Sequence, residues 1–270
     1  MTPEPLEQAA EWALQARRRV LRLCLTFSAA VVAGLAGSKP RRAGAAAARV
    51  TVDAAVVLAA DVSRSIDDDE FELQRRGYAD AIRNPQLIDA ISTGPHGAIA
   101  LAYVEWAGDG EERVVVDWAV IRNQADASAF VAGMTAAPRA FIGRTAIGTA
   151  IDFSLALFAE AAFETTRRVI DISGDGTSNQ GRLVTEARDA AVGAGAVING
   201  LAIFNKKAAA MGGYLALHTN PPGGLAHYYH ENVIGGSGAF VVQIDDFNTF
   251  GEAMMRKLVN EVAYAGQRDG

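Results

Sequence analysis

The chain has 270 residues, half of them apolar, enough for one large domain or two small ones with a proper core. Its formal charge is −6, unevenly spread: residues 1–48 hold seven Lys/Arg against three Asp/Glu, and that +4 leaves −10 on the remainder. An acidic body argues against a nucleic-acid or anionic-membrane partner.

Residues 1–48 read as a targeting segment. Arg17, Arg18, Arg19 and Arg22 precede an apolar run over 23–37, and the small residues of 43–48 offer cleavage sites. The run is shorter than the ~20 residues of a spanning helix. Glu4, Glu7 and Glu11, and the basic Lys39, Arg41 and Arg42 after the run, depart from the usual signal. Export is the expectation, to the periplasm or outside the cell; the alternative is an inner-membrane anchor over residues 20–37. The one cysteine, Cys24, lies inside the run, so a mature chain would have neither disulfides nor thiolate metal ligands.

Beyond residue 50 strands and helices alternate, the mark of a parallel sheet with crossover helices in one domain over 50–265. The continuous apolar run 56–60 predicts a strand buried on both faces. It ends on Asp61, and Ser63 and Ser65 follow at alternate positions. Ser65 is expected to cap a helix over 67–83, with the acids 67–70 in its first turn complementing the dipole rather than forming a cation cluster. Asn84-Pro85 and the stretch 94–97 read as breaks. Residues 98–106 and 113–118 are strands joined too tightly for a helix, hence an antiparallel hairpin at one edge. A helix is expected over 124–134. Next a Gly-punctuated stretch, 141–150, runs into an apolar helix ending near 162. Residues 168–173 form another buried strand, followed by Gly174-Asp175-Gly176. A helix over 182–192 and a strand over 196–204 repeat the unit. The Gly-, His- and Tyr-rich stretch 211–238 is irregular; a strand over 239–244 and a helix from 246 onward close the chain.

Asp61, Ser63 and Ser65 thus crowd the loop at the carboxyl end of a buried strand, where open α/β sheets bind ligands. One carboxylate and two hydroxyls are hard oxygen donors, suited to Mg2+ and unsuited to Cu2+ or Zn2+. This Asp-x-Ser-x-Ser pattern resembles the metal-ion-dependent adhesion site of von Willebrand factor A-like domains. The family completes that site with a Thr and an Asp from later loops. Thr145, in Gly143-Arg144-Thr145, and Asp175, in Ser173-Gly174-Asp175-Gly176, stand in those places and in that order. The block 228–236 is similar to an uncharacterised bacterial group of exported proteins of this kind.

The resemblance implies a doubly wound α/β fold, with a mostly parallel central sheet, one antiparallel edge strand and helices on both faces. It implies Ser63 and Ser65 as direct ligands of Mg2+, Mn2+ or Ca2+, Thr145 direct or through water, and Asp61 and Asp175 holding waters and serines. Few direct carboxylates leave the ion electrophilic, ready for an acidic side chain of a partner protein; nucleotide use and catalysis are not implied. Arg64 and Arg144 can attract such a partner or lie in solvent, and Gly143 supplies a tight turn. Two rival readings remain: a metal-dependent hydrolase or phosphatase using Asp61 and Asp175, and a metal-free scaffold binding through 211–238. His227-x-x-His230-Glu231 could hold Zn2+ only if helical, and packing or a contact surface is the expected role. Asp171, inside a buried strand, needs a partner the sequence does not name. Neither a Gly-x-Ser-x-Gly elbow nor a phosphate-binding glycine loop occurs.

Overall fold

A computed structural model describes residues 49–265, with side-chain burial defined to Val262. Residues 1–48, expected to form a targeting segment and including Cys24, lie outside the described residues.

The continuous apolar runs become the central sheet. Its strands are β2 (Ala54–Asp61), β3 (Ile99–Trp106), β4 (Glu112–Ile121), β6 (Arg168–Gly174), β7 (Ala196–Ile203) and β8 (Val241–Ile244). They lie in the order β4-β3-β2-β6-β7-β8, all neighbours parallel except the β3–β4 hairpin at one edge. Every residue of β2 and β3 is buried, as strands sandwiched between helices require. This is the doubly wound sheet that the sequence predicts. A short parallel pair, β1 (Val50–Thr51) with β5 (Phe163–Glu164), carries no sequence signal and adds a small second sheet.

Helices α1 (Asp68–Ile82), α2 (Pro85–Ser92), α3 (Gln124–Ala136), α4 (Ile147–Leu157), α5 (Val184–Gly193) and α9 (Phe250–Ala265) cover the sheet. Glycine lets α1 and α9 cross closely, since a Cβ on Gly77 would lie 2.8 Å from the backbone nitrogen of Gly251. Tyr78 packs edge-on to Tyr103 and Phe250, with ring centroids 5.3 and 4.9 Å apart. Beneath α9 sits the partner of Asp171: Lys257 Nζ is 2.6 Å from Asp171 and 2.7 Å from Glu261, all wholly buried.

Four expectations need correction. The cap of α1 is Asp67, not Ser65. Asp67 accepts from the Glu70 amide, and Glu70 Oε2 accepts from the Asp67 amide, a complete capping box at 2.9 Å each way. Asn84-Pro85 starts α2 rather than breaking the chain, with Asn84 capping and Pro85 at the first helical position. The apolar helix α4 ends at Leu157 and gives way to a 3-10 turn, Phe158–Glu160. Finally, α6 (Lys206–Ala210) precedes the stretch 211–238, and that stretch, expected to be irregular, contains α7 (Gly213–Thr219), α8 (Leu225–Tyr228) and a π turn, Tyr229–Val233.

Candidate metal centre

Parallel register fixes the floor of the site. Ala60 pairs with Ser173, so Asp61 and the Gly174-Asp175 corner emerge side by side at the carboxyl end of the sheet. Asp61 is wholly buried; its Oδ1 accepts from the Ser63 amide at 2.7 Å, and its Oδ2 has no hydrogen-bond partner. Residues 62–66 then form a tight turn, with the Ile66 amide donating to Ser63 O at 3.1 Å. Within the turn Ser63 Oγ lies 3.1 Å from Ser65 Oγ, and Ser65 Oγ donates to Asp175 Oδ1 at 2.6 Å. Asp175 Oδ2 accepts from Asn205 Nδ2 at 2.8 Å, and that amide group also reaches Ser65 O at 3.0 Å. Asp61, Ser63, Ser65 and Asp175 are therefore joined by one run of hydrogen bonds, the first through the Ser63 amide and the others between side-chain oxygens.

Thr145 arrives just before α4. Its amide donates to Asn179 Oδ1 at 3.0 Å, and its carbonyl accepts from the Asn179 amide at 2.8 Å, tying the Thr145 loop to the loop after Asp175. Its hydroxyl lies 3.2 Å from His218 Nε2, while His218 Nδ1 lies 3.2 Å from Thr177 Oγ1. Ser65 and Thr145 open on a common cleft of about 920 Å³; Asp61, Ser63 and Asp175 lie beneath it. All five sequence-predicted site residues are thus gathered at one end of the sheet.

The electrostatics of the floor are those of an unneutralised site. Burial, then repulsion by Asp175, pushes the Asp61 carboxyl up to about 8. Burial likewise raises Asp175 to about 6, against hydrogen bonds from Ser65 and Asn205 that favour its ionised form. Neither acid has an ion-pair partner among the described residues. Burial lowers the His218 pKa, which keeps its imidazole neutral and able to accept from one threonine hydroxyl.

Several supporting residues have no signal in the sequence. Arg139 Nη2 donates to the carbonyls of Val62 (2.9 Å), Ser63 (3.0 Å) and Ile66 (2.8 Å), clamping the Asp61–Ser65 turn from behind. Asn205, two residues past the end of β7 and the cap of α6, reaches Asp175, and α7 brings in His218. Tyr229 is buried with its hydroxyl unpartnered, and a Cβ at Gly174 would lie 2.6 Å from that hydroxyl and 2.9 Å from Asp61 Oδ2. Only a glycine leaves room for both oxygens there. His218 alone could have been suspected, because 211–238 stands out for its histidines. His227 and His230 are exposed, His230 lies 3.0 Å from Glu231, and no third ligand joins them among the described residues.

The oxygens fit a hard divalent cation. Asp61, Ser63, Ser65 and Asp175 are linked by hydrogen bonds, the Thr145 hydroxyl belongs to the cleft that Ser65 lines, no sulfur donor joins them among the described residues, and a buried carboxylate oxygen is left without a donor.

Residues 51–266 match the model of a family described as Protein of unknown function (DUF1194). No curated protein matches the chain in sequence. Among solved structures, proximal thread matrix protein 1 from the mussel byssus aligns with a TM-score of 0.56 and 14% identity, over 80% of this chain and 49% of that one. Another structure of that protein has a zinc-occupied MIDAS motif. The pilus adhesin SpaC from Lactobacillus rhamnosus GG, in its open conformation, aligns with a TM-score of 0.57 and 12% identity, over 80% and 30% of the two chains. A von Willebrand factor type A protein from Catenulispora acidiphila gives 0.51 and 15%, over 78% and 43%. This chain spans about half the length of the mussel protein. Family match, sheet order and shared fold lead to one assignment: the chain is a member of the DUF1194 family, built on a von Willebrand factor A-like fold.

Proposed function

We propose that this chain is an exported, divalent-cation-dependent protein-binding module. The observation that carries the reading is the linked set Asp61–Ser63–Ser65–Asp175, with the buried Asp61 Oδ2 unpartnered and Thr145 opening on the same cleft. Ser63, Ser65 and Thr145 would hold the cation, Mg2+ first in expectation, with Asp61 and Asp175 orienting waters and serines around it. The ion would supply an electrophilic position for an acidic side chain of a partner protein. The motif of the mussel protein takes zinc, against the expectation from oxygen donors alone, so that analogy supports a divalent cation rather than Mg2+ in particular, and the adhesin supports protein binding. Residues 1–48 would direct export or tether the chain to the membrane.

Mg2+ and Mn2+ titration calorimetry on the protein, with Asp61→Ala and Ser63→Ala alongside, tests this. Saturable binding that both substitutions abolish is the expected result. Binding that survives both would reassign the site.

His218 gives a second reading some footing, because a metal-dependent hydrolase needs a base beside its ion and His218 touches Thr145. Both ring nitrogens already face threonine hydroxyls, which makes holding Thr145 in place the better role. Turnover of para-nitrophenyl phosphate that requires both Mg2+ and His218 would favour the hydrolase.

A further inference from the structure

Three of the six large apolar side chains exposed among the described residues line the candidate cleft: Ile142 (61% exposed), Met211 (77%) and Tyr214 (65%). A fourth, Leu217, stands one turn from Tyr214 on α7. Exposed apolar side chains scattered singly need no explanation; a group around a polar site does. Two of the elements that present them also build the site. Ile142 belongs to the loop whose Gly143 carbonyl accepts from the Arg64 amide at 3.0 Å. Tyr214 stacks on His218, with centroids 5.8 Å apart and planes 9° from parallel, and its hydroxyl accepts from Asn179 at 3.0 Å.

The charges around the same cleft divide in a particular way. Lys207 is bound to Asp67 at 2.8 Å. Arg64, between the two serines, and Arg144, next to Thr145, are exposed on the cleft, and neither has an ion pair among the described residues. Four carboxylates line the cleft as well, and each is engaged: Asp67 and Glu70 by Lys207, Asp109 by the Thr149 hydroxyl and Glu111 by the Gly108 amide. Arg64 and Arg144 are next in sequence to the ligand hydroxyls, a local complement to one acidic residue rather than to a long anionic segment.

We infer that the partner recognised here is a protein segment in which the cation-binding acid is flanked by large apolar side chains, those side chains seating on a collar of Ile142, Met211, Tyr214 and Leu217 while Arg64 and Arg144 draw that acid in. This rests on the cation-dependent reading above. A carboxylate on a surface ion gives little affinity or selectivity by itself; apolar burial around it excludes water and discriminates among acidic partners.

Three dye-labelled pentapeptides, Gly-Leu-Asp-Phe-Gly, Gly-Gly-Asp-Gly-Gly and Gly-Leu-Asn-Phe-Gly, test it by fluorescence anisotropy on the full chain, with excess Mg2+ or with chelator. Mg2+ calorimetry runs in parallel. Partial burial of the Leu and Phe side chains should make the first peptide bind about tenfold more tightly than the second. The third should not bind, and chelator should abolish binding of the first. Ile142→Ser with Met211→Ser, both at exposed side chains, should erase the preference and leave Mg2+ binding unchanged. If Mg2+ binds while the two Asp peptides bind equally or not at all, the apolar collar is overturned and the cation reading stands. Absence of Mg2+ binding overturns both. Mg2+-dependent self-association that the double substitution removes makes a second copy of the chain the occupant and overturns the partner assignment.

Discussion

Replacing Arg139 tests whether the Asp61–Ser65 turn is preorganised or merely present. Its side chain is 11% exposed, and one nitrogen, with two hydrogens, serves the carbonyls of Val62, Ser63 and Ile66. Nε reaches Phe141 O at 3.1 Å, and the contact to Asp68 adds little because that carboxylate is 94% exposed. Hydrogen bonds to a charged group are worth ~1.5–3 kcal/mol each, and two hydrogens make about two such bonds, partly replaced by water at the rim. Arg139→Ala should therefore cost about 2–4 kcal/mol. At about 2–4 °C per kcal/mol for a domain of this size, the melting temperature should fall by about 5–15 °C. Arg139→Lys, which keeps the charge but not the fork, should lose about half as much. Fixing one loosened residue costs ~1–2 kcal/mol of backbone entropy, so Mg2+ affinity should drop about tenfold. Thermal unfolding and calorimetry on both variants supply the readouts. Melting within about 1 °C of the parent, with unchanged Mg2+ affinity, would refute the clamp.

The remaining expectations concern charge and space. Without metal, Asp61 and Asp175 have folded-state pKa values of about 8 and about 6, above the ordinary 3.8. Their contribution to stability is therefore full below about pH 4 and is lost as pH rises through 6 to 8. Because a cation binds the ionised forms, Mg2+ should raise the melting temperature more at about pH 8 than at about pH 6; an equal shift at both would sink the link. Lys257→Met leaves Asp171 and Glu261 buried without their ammonium and should cost about 3–5 kcal/mol in urea unfolding. Adding Asp171→Asn should recover part of that loss, and no recovery would mean that Lys257 acts through packing alone. Gly174→Ala puts a methyl 2.6 Å from the Tyr229 hydroxyl and 2.9 Å from Asp61 Oδ2, and should abolish Mg2+ binding in a folded protein. Tyr229→Phe in the same background should restore some of it, as calorimetry would register.

What the sequence made legible was the part fixed by short-range pattern. Continuous apolar runs marked β2, β3, β6 and β7, and polar residues at strand ends marked the loops, so the order of Asp61, Ser63, Ser65, Thr145 and Asp175 was readable before their convergence was visible. The cap of α1 was misread although the discriminating signal was present. Three residues after Ser65 stands Asp68; three after Asp67 stands Glu70, whose longer side chain closes the box. Ser65 is thereby released from capping, and its hydroxyl turns to Asp175. The supporting shell was not legible, because each member acts across the fold. His218 meets Thr145 at a separation of 73 residues, and Arg139 reaches back 76 to Ser63. Neither distance leaves any periodicity to detect. Prolines and glycines misled in the other direction: Pro85 begins a helix, and the glycines of 211–238 separate short helices instead of dissolving them.

One strand supplies a contrast that bears on the proposed cation. β6 buries Asp171 within its length and delivers Asp175 just beyond its end, both wholly enclosed. At Asp171 burial pushes the carboxyl up to about 7 while Lys257 draws it down, and Asp171 and Glu261 in turn raise the Lys257 ammonium against its own burial. The chain has thus built a counter-charge into the core there. Asp175 faces Asp61 instead, and around that pair the structure places hydroxyls, an Asn amide and a neutral imidazole, but no Lys or Arg within ion-pair distance among the described residues. Two buried acids without a cation are costly, and filling the space with apolar side chains would remove the expense. The second acid pair lies under a cleft, the first under a helix. A buried charge deficit that opens toward solvent, beside hydroxyls rather than ammonium groups, is what a site for a diffusible cation requires. Substituting Asp61 or Asp175 by Asn should consequently stabilise the metal-free protein above about pH 6 while it removes Mg2+ binding, the reverse of what Lys257→Met does.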